Sequence, residues 1–92
     1  MEKELDERIK LVAEIFGFRY YQFTVEVEGN SALKNSLMTH TPEFYKQTLD
    51  KLQNMSELER LFAKARLQNT ILGIPEKQVQ EMVDRMEDKY AR

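Results

Sequence analysis

The sequence predicts a mostly helical α+β domain of about four helices with one strand or a weak hairpin. Three observations predict it. Apolar residues recur at helical spacing over 2–16, 42–54, 57–72 and 75–90, so four helices are expected there. Between the first two, the period shortens to two residues over 18–28, the signature of a strand. Composition agrees with a folded, helix-rich chain: 41% hydrophobic and 33% charged residues, with only three Gly and two Pro.

The helix over 2–16 carries Leu5, Ile9, Val12 and Phe16 on one face, and Leu11 and Ile15 widen that face enough to meet more than one neighbour. Glu2, Glu4, Asp6 and Glu7 complement the positive end of its dipole, and Gly17 is placed to end it. Five of the nine aromatic residues then fall within Phe16–Phe23. Tyr21, Phe23, Val25 and Val27 alternate with polar Gln22, Thr24, Glu26 and Glu28, which assigns the first set to a buried strand face and leaves Phe18 and Tyr20 on the other. Gly29-Asn30 supplies turn chemistry, so 31–40 is the returning strand if a hairpin forms. Ala32, Leu33, Leu37 and Met38 fit a short helix capped by Asn30 or Ser31 at least as well.

Thr41-Pro42-Glu43 is a helix start, with a capping hydroxyl, a proline where no amide donor is needed, and an acid in the first turn. The helix over 42–54 presents Tyr45, Leu49 and Leu52. Ser56 and Glu59 form a capping-box pattern that opens the helix over 57–72. Leu58, Leu61, Phe62, Ala65 and Leu72 are expected on its inner side, and Gly73 after its end. Ile74-Pro75 restarts the chain into a last helix whose stripe is Val79, Met82, Val83, Met86 and Tyr90.

Length and composition set the limits on function. Ninety-two residues make a single small domain, 1–92, that buries only roughly 60 to 65% of its unfolded surface. A formal net charge of −2 provides no overall field for nucleic acid or anionic membrane. Cysteine is absent, which removes disulfides, thiolate metal ligands and thiol nucleophiles together. With a charged N-terminal segment and no long apolar run, the expected location is cytoplasmic.

No constellation of residues carries catalytic chemistry. His40 is the single histidine, and with no second His or Cys it cannot complete a typical zinc site, so an exposed loop role is expected for it. Glu57 and Glu59 are explained by capping, Ser31, Ser36 and Ser56 lack nucleophile context, and Gly17, Gly29 and Gly73 are too scattered to cradle phosphate. No enzyme activity, cofactor, metal or small-molecule substrate is expected.

Phe16-Gly17-Phe18-Arg19-Tyr20-Tyr21 is similar to the aromatic RNA-contacting strand of RNA-recognition motifs. The likeness covers six residues, departs at Glu14-Ile15 and runs into Glu26 and Glu28, which would repel a phosphate backbone. Leu72-Gly73-Ile74, followed by Val79 and Met82, resembles the second half of a helix-turn-helix motif. That resemblance implies a DNA-binding regulator built on 57–90 with Arg60, Lys64, Arg66 and Lys77 at the nucleic acid. Against it, the second helix carries Glu76, Glu81, Asp84, Glu87 and Asp88 with only Lys77, Arg85 and Lys89 in return.

The function expected from the sequence is therefore a non-catalytic protein-interaction module of the regulator, inhibitor, chaperone or assembly-factor type. A lone strand needs a ladder partner, so the expected partner is a second copy forming a homodimer, or a larger protein, with Phe18, Tyr20, Tyr21, Phe23 and Val25 at the interface.

Overall fold

The computed structural model describes the backbone of residues 3–91 and the side chains of residues 3–87. Within that range the chain forms α1 (Lys3–Phe16), α2 (Tyr20–Glu28), α3 (Ser31–Met38), α4 (Pro42–Gln53), α5 (Glu57–Leu67) and α6 (Glu76–Ala91), with a π-helical turn, Gln68–Leu72, extending α5. No strand occurs among the described residues. The fold is all-helical, so the α+β expectation is corrected, as are the strand at 18–28 and the returning strand at 31–40.

The reason lies in an ambiguity of spacing. Phe23 and Val27 stand two alternations apart in a strand but also one helical turn apart, and it is this i, i+4 pair that is buried. The other pair, Tyr21 and Val25, turns outward. A helix also satisfies its amides and carbonyls internally, where an unpaired strand could not. Nine residues are too few for a stable isolated helix, so α2 owes its conformation to packing against α1, α3 and α6. The hydroxyl of Thr24, one of the polar positions of the expected alternation, donates back to the Tyr20 carbonyl at 2.8 Å.

Local signals at the helix ends agree with the structure. Gly17 adopts φ +77°, and the Phe18 amide reaches the Ala13 carbonyl at 2.9 Å, closing α1 with a left-handed glycine cap. Asn30 caps α3 through the Leu33 amide, Thr41 caps α4 through the Phe44 amide, and Ser56 and Glu59 cap α5 reciprocally.

α1 is the central element. Ile9, Val12 and Ile15 are fully buried where α1 meets α2, α3 and α4. Tyr45 of α4 enters the same core and donates to the Leu37 carbonyl at the end of α3, at 2.7 Å. Burial pushes its phenol up to about 12. Val79, Met82 and Met86 close the core from α6, and the Arg85 guanidinium grips Glu26 of α2 with two nitrogens, the shorter contact being 2.7 Å. The Tyr90 side chain lies outside the described residues.

His40 departs from expectation as well. It is half-buried, stacked on Phe44 with ring centroids 4.4 Å apart, and its carbonyl accepts from Arg8 Nε at 2.8 Å. Its place is structural, tying the α3–α4 turn to α1.

Candidate functional site

α5 is attached to the body differently from the other helices. Arg60 reaches from its inner face to the end of α4, donating through Nε to the Leu52 carbonyl and through Nη2 to the Met55 carbonyl, both at 3.0 Å. The Leu52 carbonyl belongs to the last turn of α4 and the Met55 carbonyl to the turn that follows it, so the cation satisfies an orphan acceptor and sits at the negative end of the helix dipole. Ala63 is buried beside it and Leu67 is half-buried. At about 100° per residue, Arg60, Ala63 and Leu67 share one side of the helix.

Leu58, Leu61, Phe62 and Ala65 occupy the opposite side. The structure turns them outward: Leu58 is 64%, Leu61 65% and Phe62 60% exposed, and Ala65 is exposed too. This reverses the expected inner face of the 57–72 helix. The π-helical turn accounts for the reversal. In an unbroken α-helix Leu72 would continue the Leu58–Ala65 stripe, but one residue added per turn rotates the following side chains by about 100°. Ile71 and Leu72 thereby enter the core while the stripe points to solvent.

Shallow grooves run along both flanks of α5. One, of about 300 Å³, is lined by Phe44, Thr48 and Met55 of the α4 side with Ala63, Arg66 and Leu67. The other lies over Leu49 and Leu52 and includes Arg60 and Lys64. The four cations expected at nucleic acid are thus dispersed: Arg60 is engaged with carbonyls, Lys64 and Arg66 line different grooves, and Lys77 sits on α6. On the exposed part of α6, Glu76, Glu81, Asp84 and Glu87 outnumber Lys77 and Arg85.

The residues expected at a partner interface are also separated. Phe23 is fully buried. Phe18 stacks on Phe16 and packs at a tilt against Phe23, with ring centroids 5.5 and 5.1 Å away. Tyr20 is half-buried and donates to Asp6, which raises the phenol and lowers the carboxyl from their ordinary values. Tyr21 and Val25, read from the alternation as core, are 81% and 53% exposed. They form a second, smaller apolar pair on α2.

The groove beside the α1–α2 connection, about 400 Å³, is lined by Phe16, Phe18, Val83 and Met86 with Arg19 and Glu87 at its edge. Among the described residues no three His, Asp or Glu side chains gather to hold a metal ion, and no helix is long and apolar enough to cross a membrane. No family model, curated protein or solved structure matches the chain.

The outward stripe of α5 is the surface feature that the sequence pattern assigned to the wrong side. Its spacing was visible, but its direction was set by Arg60 and the π turn. Arg60 gave no hint of it, because an arginine opposite an apolar face is the ordinary pattern of a helix that buries that face.

Proposed function

We propose that the chain is a non-catalytic protein-interaction module, acting as a regulator, inhibitor, chaperone or assembly factor, and that it binds through the outer face of α5. The observation that carries this reading is the grouping of Leu58, Leu61 and Phe62, each more than half exposed, on one side of a single helix. Scattered surface leucines are ordinary in soluble proteins, whereas the stripe Leu58, Leu61, Phe62 and Ala65 has the i, i+3, i+4, i+7 form that helix-mediated recognition uses. The stripe contributes nothing to the core that Ala63, Ile71 and Leu72 form behind it, so its apolar character has no role in folding the monomer.

Photo-crosslinking from position 62 tests the reading. A photoreactive phenylalanine analogue at Phe62 is expected to give adducts of defined mass in cells expressing the chain, and Leu61→Glu should abolish them without lowering the melting temperature. Adducts no more abundant from position 62 than from exposed Gln78 would overturn it. DNA binding that weakens steeply with salt would instead favour a nucleic-acid role.

A further inference from the structure

The stripe on α5 is bordered by charges in an order that selects a particular partner. At about 100° per residue, Glu59 and Arg66 fall along one edge of the Leu58–Leu61–Phe62–Ala65 stripe, and Glu57 and Lys64 along the other. On both edges the acid lies in the first turn and the base in the last. Among the described residues, Glu57, Lys64 and Arg66 take part in none of the ion pairs, which join Asp6 to Lys10, Glu7 to Lys46 and Glu26 to Arg85. Glu59 commits one carboxylate oxygen to the Ser56 amide.

Resting on the interaction-module reading, we infer that the partner is a second copy of this chain, paired through α5 in antiparallel orientation about a two-fold axis between Leu61 and Phe62. Two-fold symmetry requires a surface complementary to itself, and each layer of this face meets that requirement. Leu58 comes opposite Ala65 of the second copy, and Leu61 opposite its Phe62. Along one edge Glu57 meets Lys64 of the second copy, and along the other Glu59 meets Arg66. The position sums are 121 for one charged edge, 123 for both apolar pairs and 125 for the other edge, so the centres of all four pairings fall within one residue, about 1.5 Å, of the point between Leu61 and Phe62. A parallel pair has the opposite outcome, setting Glu57 against Glu59 and Lys64 against Arg66. The charges therefore choose the antiparallel arrangement and reject the parallel one.

Eleven residues at 1.5 Å each, on a helix about 10 Å wide, make a strip about 16 Å long with a footprint of roughly 160 Å², well short of the roughly 800 Å² per partner of a standard interface. The dimer is accordingly weak, and its population follows concentration.

Sedimentation equilibrium from low to hundreds of micromolar, with charge variants, tests the pairing. Glu57→Lys and Lys64→Glu leave the Ser56–Glu59 capping box intact. Each alone should weaken self-association by about three- to tenfold, and an equimolar mixture should recover wild-type affinity, because the heterodimer again opposes unlike charges. The natural absence of cysteine gives a second readout of orientation. On oxidation, Leu58→Cys mixed with Ala65→Cys should form the 58–65 disulfide in preference to either homodimer. A wild-type monomer at hundreds of micromolar, a mixture no tighter than its components, or dominance of the 58–58 disulfide would overturn the antiparallel dimer. Phe62 adducts that contain a different protein would sink the self-pairing while leaving the interaction module standing.

Discussion

Gly73 has the tightest steric constraint among the glycines. It holds φ +63° directly after the π-helical turn, and a Cβ built on it would lie 2.3 Å from Ser36 Oγ and 2.8 Å from Ser36 Cβ. Ser36 cannot easily withdraw, since its hydroxyl donates to the Ile71 carbonyl at 2.8 Å. Gly17, at φ +77°, has nothing within 4 Å of the same virtual atom. The comparison separates backbone strain from crowding. Gly17→Ala should cost about 1 kcal/mol from the left-handed conformation alone, and Gly73→Ala about 2 to 4 kcal/mol because α3 must also move. Urea unfolding of both variants checks this, and equal losses would refute the crowding argument. At this scale the sequence was informative: Gly17, Gly73, Asn30, Thr41, Ser56 and Glu59 all act at helix ends, where a residue's own chemistry decides its conformation. Arg60 was illegible because its role depends on carbonyls eight and five positions away, in α4 and the turn after it, that only the folded packing brings to it.

Among the elements, α2 and α5 are the two whose orientation the one-dimensional pattern could not settle. In α2 the residues Tyr21, Phe23, Val25 and Val27 satisfy a strand and a helix alike, and propensity favours the strand; α1, α3 and α6 override it. Phe23→Ala and Tyr21→Ala distinguish the two structures. The helix buries Phe23 and exposes Tyr21, so the first should destabilise by about 3 to 5 kcal/mol and the second by less than about 0.5 kcal/mol. Thermal and denaturant unfolding would show comparable losses if both faced one strand surface. In α1, α4 and α6 the apolar spacing is long enough to exclude a strand, and their buried faces were read correctly wherever side chains are described. The core contribution of Val79, Met82 and Met86 is one such case.

For the molecule as a whole, titration bounds the stable range from both sides. Asp6 is held below its ordinary value of 3.8 by the Tyr20 hydroxyl, and Glu59 below 4.5 by its bonds to Ser56. Both carboxylates bind protons less readily when folded, so their stabilisation is present above those ordinary values and is lost as pH falls through the lowered ones. Tyr45 works in the other direction: its phenol, raised from 10.0 to about 12, keeps its proton in the folded chain, and that stabilisation is complete below 10 and disappears as pH rises through about 12. Melting temperature should therefore decline at both extremes. Tyr20→Phe should flatten the acid limb and Tyr45→Phe the alkaline one, and limbs unchanged by these substitutions would refute the assignment. The Cα radius of gyration, 12.7 Å, is close to the roughly 12 Å of a compact chain of this length, so the exposed stripe on α5 is not a symptom of loose packing. The π-helical turn has a further consequence for how this chain can tolerate change in length. Residues 68–72 contain the one extra position that keeps Leu72 inward and Phe62 outward, and deleting a single residue there would restore regular α-helix. The two halves of the segment would then compete for one face. A lineage that lost that residue would have to exchange its interaction surface for its core, whereas substitutions that preserve the count would leave both in place.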